Sequence, residues 1–275
     1  MTLHFTGSLS TLLLVLFYST LSANGDVLVS SARGLARGFH VDLGSNSSSL
    51  FHGQADVFLG IPYAQPPVGE LRFKLPRPIC HYDGEIEAKA YKPRCPQKGQ
   101  ADVSEDCLFL NVFTPSASST TPYPVMVFIH GGALASESAH KYAWKGAVRN
   151  LVSRGVVVVT LQYRLSVLGF FTTFTSAFPA NRGIYDIMTA LQWVQEEIDH
   201  FGGDPNQVTV FGQSAGAAAI SALSLSPIAR GLFHRIIQES GSISMETDVP
   251  DFARGDPHKQ TAQMVSGQSS LLISS

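Results

Sequence analysis

No run of basic residues occurs in this chain, and its formal net charge is only −2. That balance argues against nucleic acid or an acidic membrane as the principal partner. No Cys/His cluster has metal-ligand spacing: His130 and His140 lack companions, and His200 closes a helical stretch. Neither a metal nor a cofactor is therefore expected. Long-period repeats are also missing. Past residue 26 no hydrophobic stretch approaches the about 20 apolar residues that cross a bilayer, so no membrane span is expected in the mature chain. Before Asp26 there is no acidic residue, Lys or Arg at all.

That charge-free opening holds an apolar run, Leu12 to Tyr18, and ends in the small residues Ala23-Asn24-Gly25. It reads as a secretory signal over about residues 1–25, too short to span a membrane, with a buried core strand as the alternative. A secreted, extracellular location follows from the signal reading. The whole chain is 44% hydrophobic and 15% charged, which suits a globular protein with a sizeable core. Asn46-Ser47-Ser48 is a glycosylation sequon in the Ser-rich loop 44–49.

The most informative segment is Phe211-Gly212-Gln213-Ser214-Ala215-Gly216, directly after the strand-like Gln207-Val208-Thr209-Val210. It fits the G-x-S-x-G nucleophile elbow, a strand-to-helix turn that pushes one serine hydroxyl out of the sheet. Gly212 and Gly216 are the small neighbours that let Ser214 occupy a strained apex. The alternative is a glycine-rich turn with an ordinary serine. The β-branched run before it and the small-residue helix after it, Ala217 to Leu223, supply the context the motif requires.

Strand signals recur at Leu108–Phe113, Val125–Ile129, Val156–Leu161, Gln207–Phe211 and Arg235–Gln238. The Val156–Val159 run lacks alternation, as a strand buried on both faces does. Ile184, Ile187, Met188, Leu191, Val194 and Ile198 recur at helical spacing, so a helix is expected to end near Phe201-Gly202-Gly203. Strands alternating with helices predict an α/β fold with a mostly parallel central sheet covered by helices on both faces. The Ser/Thr/Pro-rich stretch 115–124 reads as a surface loop between antiparallel neighbours.

Taken with the elbow, further segments resemble the type-B carboxylesterase family, which includes cholinesterases, gut and liver carboxylesterases and the non-catalytic neuroligins. They are Phe58 through Gly69, Leu71-Arg72-Phe73, Ser104 through Asn111, Ile129-His130-Gly131-Gly132-Ala133, Ala190 through Val194 and Phe201 through Pro205. The resemblance runs in family order over about residues 26–260 and implies the α/β-hydrolase fold. The stretch 261–275 forms an atypical tail, unlike the family from Met264 onward.

The resemblance implies roles residue by residue. Ser214 is the expected nucleophile, forming an acyl-enzyme from a small-molecule ester. The oxyanion hole is expected from the amides of Gly132, Ala133 and Ala215, with Gly131, Gly212 and Gly216 shaping the supporting turns. Many relatives carry glycine where Ala133 stands, but a backbone donor survives that change. A Cys95–Cys107 disulfide is implied, leaving Cys80 as a free thiol, and so are ion pairs Arg72–Glu105 and Arg164–Asp186. Two departures narrow the substrate. Only eleven residues and no tryptophan lie between Cys95 and Cys107, whereas cholinesterases hold the choline cation on a tryptophan there. Trp144 and Trp193 lie elsewhere, and Trp193 reads as helix packing. Gln213 replaces the cholinesterase glutamate before the nucleophile. Both changes favour a neutral carboxylic ester over acetylcholine.

In this fold the triad acid and then the histidine follow the serine on later strands. Only 61 residues follow Ser214, and neither His234 nor His258 sits in a suitable context. The chain is thus expected to stop about halfway through a family-length domain, after the elbow and one further strand, without the triad acid and histidine. Three readings remain open: a secreted carboxylic ester hydrolase; a non-catalytic neuroligin-like binding or adhesion protein; and a cut-short product with no function of its own. Retention of both the serine and the oxyanion loop favours enzyme ancestry. Oligomeric state is unknown at this level.

Overall fold

The computed structural model describes residues 25–244. The expected signal segment and the expected tail 261–275 therefore lie outside the described residues, apart from Gly25. The valine run forms β7 (Val157–Leu161), buried at all of its positions. Alternation divides it between two cores: Val157, Val159 and Leu161 enter the larger cluster, and Val158 the smaller one on the opposite face. Its one polar side chain, Thr160, is buried too and accepts a hydrogen bond from the Asn111 side-chain amide at 3.0 Å.

Around β7 lie β1 (Asp26–Ser31), β2 (Gly34–Asp42), β3 (Gln54–Pro62), β4 (Glu85–Glu87), β5 (Phe109–Thr114), β6 (Tyr123–Ile129), β8 (Gly203–Gln213) and β9 (Arg235–Glu239). Their spatial order is β1-β2-β3-β5-β7-β6-β8-β9, with β4 beside β2. The links from β1 through β7 are antiparallel. Those from β7 through β6 and β8 to β9 are parallel. Parallel neighbours need crossovers, and helices supply them. They are α1 (Trp144–Asn150), α3 (Arg182–Glu197) and α4 (Ala215–Leu225), with the short α2 (Ser166–Phe170) ahead of α3.

Helix α3 places Ile187, Leu191, Trp193 and Val194 against the sheet, all fully buried. The Trp193 indole N–H donates to the Tyr82 hydroxyl at 3.0 Å, so Trp193 is packing, as its helical position predicts. The helix gives way to a 3₁₀ turn over Ile198–Phe201, and Gly202 follows at φ 80°.

The expectation for residues 115–124 needs correction. Residues 115–122 do connect consecutive strands β5 and β6, with Tyr123 and Pro124 already opening β6, but those two strands are not neighbours: β7 sits between them, antiparallel to β5 and parallel to β6. Strand order is set by long-range pairing, which a local loop composition does not encode. The antiparallel β1–β3 half of the sheet is a further feature that the strand signals did not pick out.

Two expected ion pairs are made. Arg164 and Asp186 form a two-pronged pair at 2.8 and 2.7 Å, essentially inaccessible to solvent. Arg164 also donates to the Lys74 carbonyl, so it joins α3 to the segment after Leu71-Arg72-Phe73. Arg72 and Glu105 form a second two-pronged pair at 2.6 and 2.7 Å near the surface.

Candidate active site

Strands β6 and β8 are parallel neighbours, paired so that Ile129 stands opposite Gly212. Both chains therefore leave the sheet side by side at its C-terminal end, the usual position for a site in parallel α/β sheets. One becomes the His130-Gly131-Gly132-Ala133 turn and the other becomes Ser214. This register brings together two motifs separated by about eighty positions in the sequence.

Ser214 is the residue before α4 and has φ 55° and ψ −124°. That backbone state is unfavourable for any residue with a Cβ and persists only where the surroundings enforce it. The enforcement is visible. Ser214 donates its N–H to the Glu239 carbonyl of β9 at 2.8 Å, and its carbonyl accepts from Ala218 at 3.0 Å. The side chain is half-buried, and among the described residues nothing hydrogen-bonds its hydroxyl.

The glycines around it are required by close approach. A Cβ on Gly216 would lie 2.2 Å from the Ile129 carbonyl oxygen and 2.7 Å from that of His130. One on Gly212 would meet the Ile129 carbonyl at 2.8 Å. A Cβ on Gly131 would lie 2.6 Å from the Gln213 carbonyl and 3.1 Å from the Ser214 Cβ. The Gly131 turn is thus packed directly on the elbow. The first amides of α4, beginning with Ala215, have no carbonyl one turn back to receive them.

Gly132, Ala133 and Leu134 follow at φ 95°, 54° and 59°. The Gly132 carbonyl is occupied by the amides of Ala135 and Ser136 at 2.9 and 3.0 Å, closing a tight turn. Leu134 anchors the turn from behind, its carbonyl accepting from Ser166 at 2.7 Å.

Several residues that support this turn carry no sequence motif. Gln97 is buried, donates to the Glu137 carbonyl and accepts from the Glu137 amide, both at 2.9 Å. Tyr163 stacks on His130 with ring centres 4.5 Å apart and donates to the His130 carbonyl at 2.8 Å. The Gln162 carboxamide accepts from Ala139 at 3.0 Å. Only their three-dimensional contacts reveal them, because nothing in their local sequence distinguishes them from other polar residues.

His130 itself faces inward, with Nδ1 3.0 Å from the Gly131 carbonyl. Burial pushes its pKa down to about 4, so it is neutral near pH 7. Its Nε2 has no partner among the described residues. His234 is not near Ser214. It contacts Val208, donating its amide to that carbonyl and meeting that amide with Nδ1. Six residues of strand at about 3.3 Å each separate Val208 from Ser214, roughly 20 Å. His258 lies outside the described residues.

Cys95 and Cys107 are joined by a disulfide, and Cys80 is free and exposed. Asn46 is exposed in a turn whose Oδ1 accepts from Ser48. Among the described residues no group of three or more His, Cys, Asp or Glu side chains could hold a metal. No helix there is long and apolar enough to cross a membrane.

A family model described as the carboxylesterase family matches residues 26–269. Over 227 residues the chain is 43% identical to the medium-chain fatty acyl-CoA hydrolase precursor of Anas platyrhynchos, covering 76% of this chain and 39% of that protein. Over 206 residues it is 48% identical to carboxylesterase 3 of Homo sapiens, covering 69% and 35% respectively. Acetylcholinesterase-1 of Trittame loki is 43% identical over 78% of this chain and 41% of its own length. Among solved structures, PNB esterase superposes with a TM-score of 0.68 at 42% identity, over 78% of this chain and 44% of that one. The chain spans less than half the length of each of these relatives.

Proposed function

Because the chain belongs to the carboxylesterase family and has the α/β-hydrolase fold, we propose that it serves in the hydrolysis of carboxylic esters with Ser214 as nucleophile. One observation carries this reading: the Gly131 turn packed against a strained Ser214 at a strand-to-helix apex. Backbone strain held in place by neighbours is the signature of a functional turn.

In the proposed reaction the Ser214 Oγ attacks the ester carbonyl carbon and gives its proton to a base. The carbonyl oxygen becomes an oxyanion facing the amides of Gly132, Ala133 and Ala215. Such preorganised donors are the largest contribution to many acyl transfers. The Ala215 amide belongs to the N-terminus of α4, where the helix dipole favours the negative charge. Collapse expels the alcohol, which takes up the proton, and leaves an acyl-Ser214 ester. Water then cleaves that ester and restores the hydroxyl.

Gln213 beside the nucleophile carries no charge, and no tryptophan lies between Cys95 and Cys107. Both features support neutral esters as substrates. Secretion is supported by the apolar opening segment and by the Cys95–Cys107 disulfide, since such bonds persist outside the cytosol. The exposed Asn46 turn supports glycosylation. The proposed organisation is a signal over 1–25, the N-terminal part of the hydrolase domain over 26–260, and a distinct tail over 261–275.

A second reading concerns the base. Among the described residues no histidine contacts the Ser214 hydroxyl, and His234 lies at the far end of β8. Residues 25–244 are then an elbow and oxyanion loop without a proton acceptor, which leaves a serine hydroxyl little nucleophilic character. The test uses the purified chain, its Ser214→Ala variant and a short-chain nitrophenyl ester, read by intact mass and by release of nitrophenolate. Expected is a slow acylation confined to chains with Ser214, within the residual ~10³–10⁴-fold advantage over water that lost triad members leave, and accelerated by added imidazole. Equal acylation of the alanine variant would remove Ser214 from the mechanism. Fast Ser214-dependent turnover without imidazole would keep Ser214 and overturn the second reading.

A further inference from the structure

Helix α2 is only five residues long, too short to hold its own shape, since isolated helices below about 12 residues are marginal in water. It follows β7, which runs parallel to β6, as β8 does, so it leaves the sheet at the same end as Ser214. Its first residue, Ser166, donates its N–H to the Leu134 carbonyl at 2.7 Å. Ala133 and Leu134 hold φ 54° and 59°, a strained pair that persists only with support from outside the turn. Whatever fixes α2 therefore fixes part of that support.

A buried cation does so. Arg182, the first residue of α3, has no solvent exposure and directs its donors to main-chain carbonyls. Its Nε donates to Leu168 at 3.0 Å, Nη2 to Val167 and Phe171 at 3.2 and 2.5 Å, and Nη1 to Pro179 at 2.5 Å. The carbonyls of Val167, Leu168 and Phe171 lie at the C-terminal end of α2, where the helix dipole favours a cation. The Phe73 ring lies 5.3 Å from the guanidinium, a further favourable contact for a charge held out of water.

Among the described residues no carboxylate pairs with Arg182: Asp186 acts on it, but is already held by Arg164. Burial and the Arg164 charge lower its pKa to about 10, so it stays a cation near pH 7. A charge in the interior is costly unless its donors are met. The planar fork of an arginine meets several carbonyls at once. The packing leaves little slack. A Cβ on Gly169 would lie 2.2 Å from the Arg164 carbonyl oxygen, and one on Gly183 would lie 2.6 Å from it. A shift at Arg182 is thus passed to α2, and through Ser166 to Leu134.

We propose that Arg182 is a positioning residue for the Gly131-Gly132-Ala133 turn: its guanidinium locks α2, and α2 holds the turn through the Ser166–Leu134 bond. Its effect on acylation rests on the hydrolytic reading, whereas its hold on the turn does not.

Two measurements on the 275-residue chain keep these apart, with Arg182→Met and Arg182→Lys as variants. The first is amide hydrogen exchange at Ser166, compared with the amides of β7. Arg182→Met is expected to speed exchange at Ser166 roughly tenfold or more while β7 changes little, the mark of local opening. Arg182→Lys keeps the charge with fewer donors and no planar fork, and is expected to fall in between. The second is imidazole-assisted acylation of Ser214 by a short-chain nitrophenyl ester. Its saturating rate is expected to drop roughly tenfold or more in Arg182→Met and less in Arg182→Lys, with half-saturation unchanged. Exchange that quickens equally at Ser166 and in β7 would mean general destabilisation and overturn the proposal. Unchanged exchange at Ser166 does the same, and the lysine variant decides this by itself if Arg182→Met does not fold. Faster exchange with unaltered acylation overturns the positioning role. A wild type without Ser214-dependent acylation refutes the hydrolytic reading instead, and exchange at Ser166 then decides the hold on the turn.

Discussion

At the scale of single residues, His130 shows how burial decides chemistry. Its ring is wedged between the Gly131 carbonyl and the face of Tyr163, where burial outweighs the help that the Gly131 carbonyl and the Glu137 carboxylate give an imidazolium. Desolvation lowers its pKa to about 4 from an ordinary 6.5. The unfolded chain therefore binds a proton between pH 6.5 and 4 that the folded chain does not, and stability falls as pH falls through that window. The full shift corresponds to about 3 kcal/mol, at 1.36 kcal/mol per pKa unit. Urea unfolding of the wild type and of His130→Gln at a series of pH values checks this. The wild type is expected to lose stability from pH 6.5 downward, with a shallower decline in the variant over the same range. Equal slopes would mean that His130 is not the group responsible.

At the scale of elements, the Gly131-Gly132-Ala133 turn carries strain that its sequence does not need. Ala133 holds φ 54°, a left-handed state costing a residue with a Cβ about 1–2 kcal/mol. Alanine recovers only ~0.4–1 kcal/mol of this by restricting the unfolded chain. Ala133→Gly is thus expected to stabilise the protein by about 0.5–1 kcal/mol, read as a raised urea midpoint at unchanged slope. A lowered midpoint would show that the Ala133 methyl makes contacts worth more than the strain. Legibility divides at this same scale. The valine run of β7, the periodic face of α3 and the elbow after β8 are local patterns, so sequence alone locates them. The placing of β7 between β5 and β6 is a pairing between distant segments, and residues 115–124 gave no hint of it. Gln97 and Tyr163 escaped for a related reason. Each supports the turn through a bond to a residue more than thirty positions away, at Glu137 and His130.

On the scale of the whole molecule, one covalent link reaches the site. The Cys95–Cys107 loop carries Gln97, which holds both main-chain groups of Glu137 just after the Gly131-Gly132-Ala133 turn. The bridge closes the loop before β5 that holds Gln97, whose hydrogen bonds reach the loop after β6, and loosening it is expected to loosen that turn. Closing a loop of this length is worth roughly 2–4 kcal/mol, chiefly by restricting the unfolded chain. Both sulfur-bearing residues are buried, at 2% and 0% exposure, whereas Cys80 is open to solvent. Two measurements follow from that contrast. Ellman's reagent is expected to titrate one thiol per chain, both in the native protein and after unfolding without reductant. The double variant Cys95→Ala/Cys107→Ala is expected to unfold at lower urea by an amount equivalent to those ~2–4 kcal/mol, while Cys80→Ser leaves the midpoint nearly unchanged. Release of three thiols on unfolding without reductant would refute the bridge. A midpoint indifferent to its removal would refute its part in holding the molecule together.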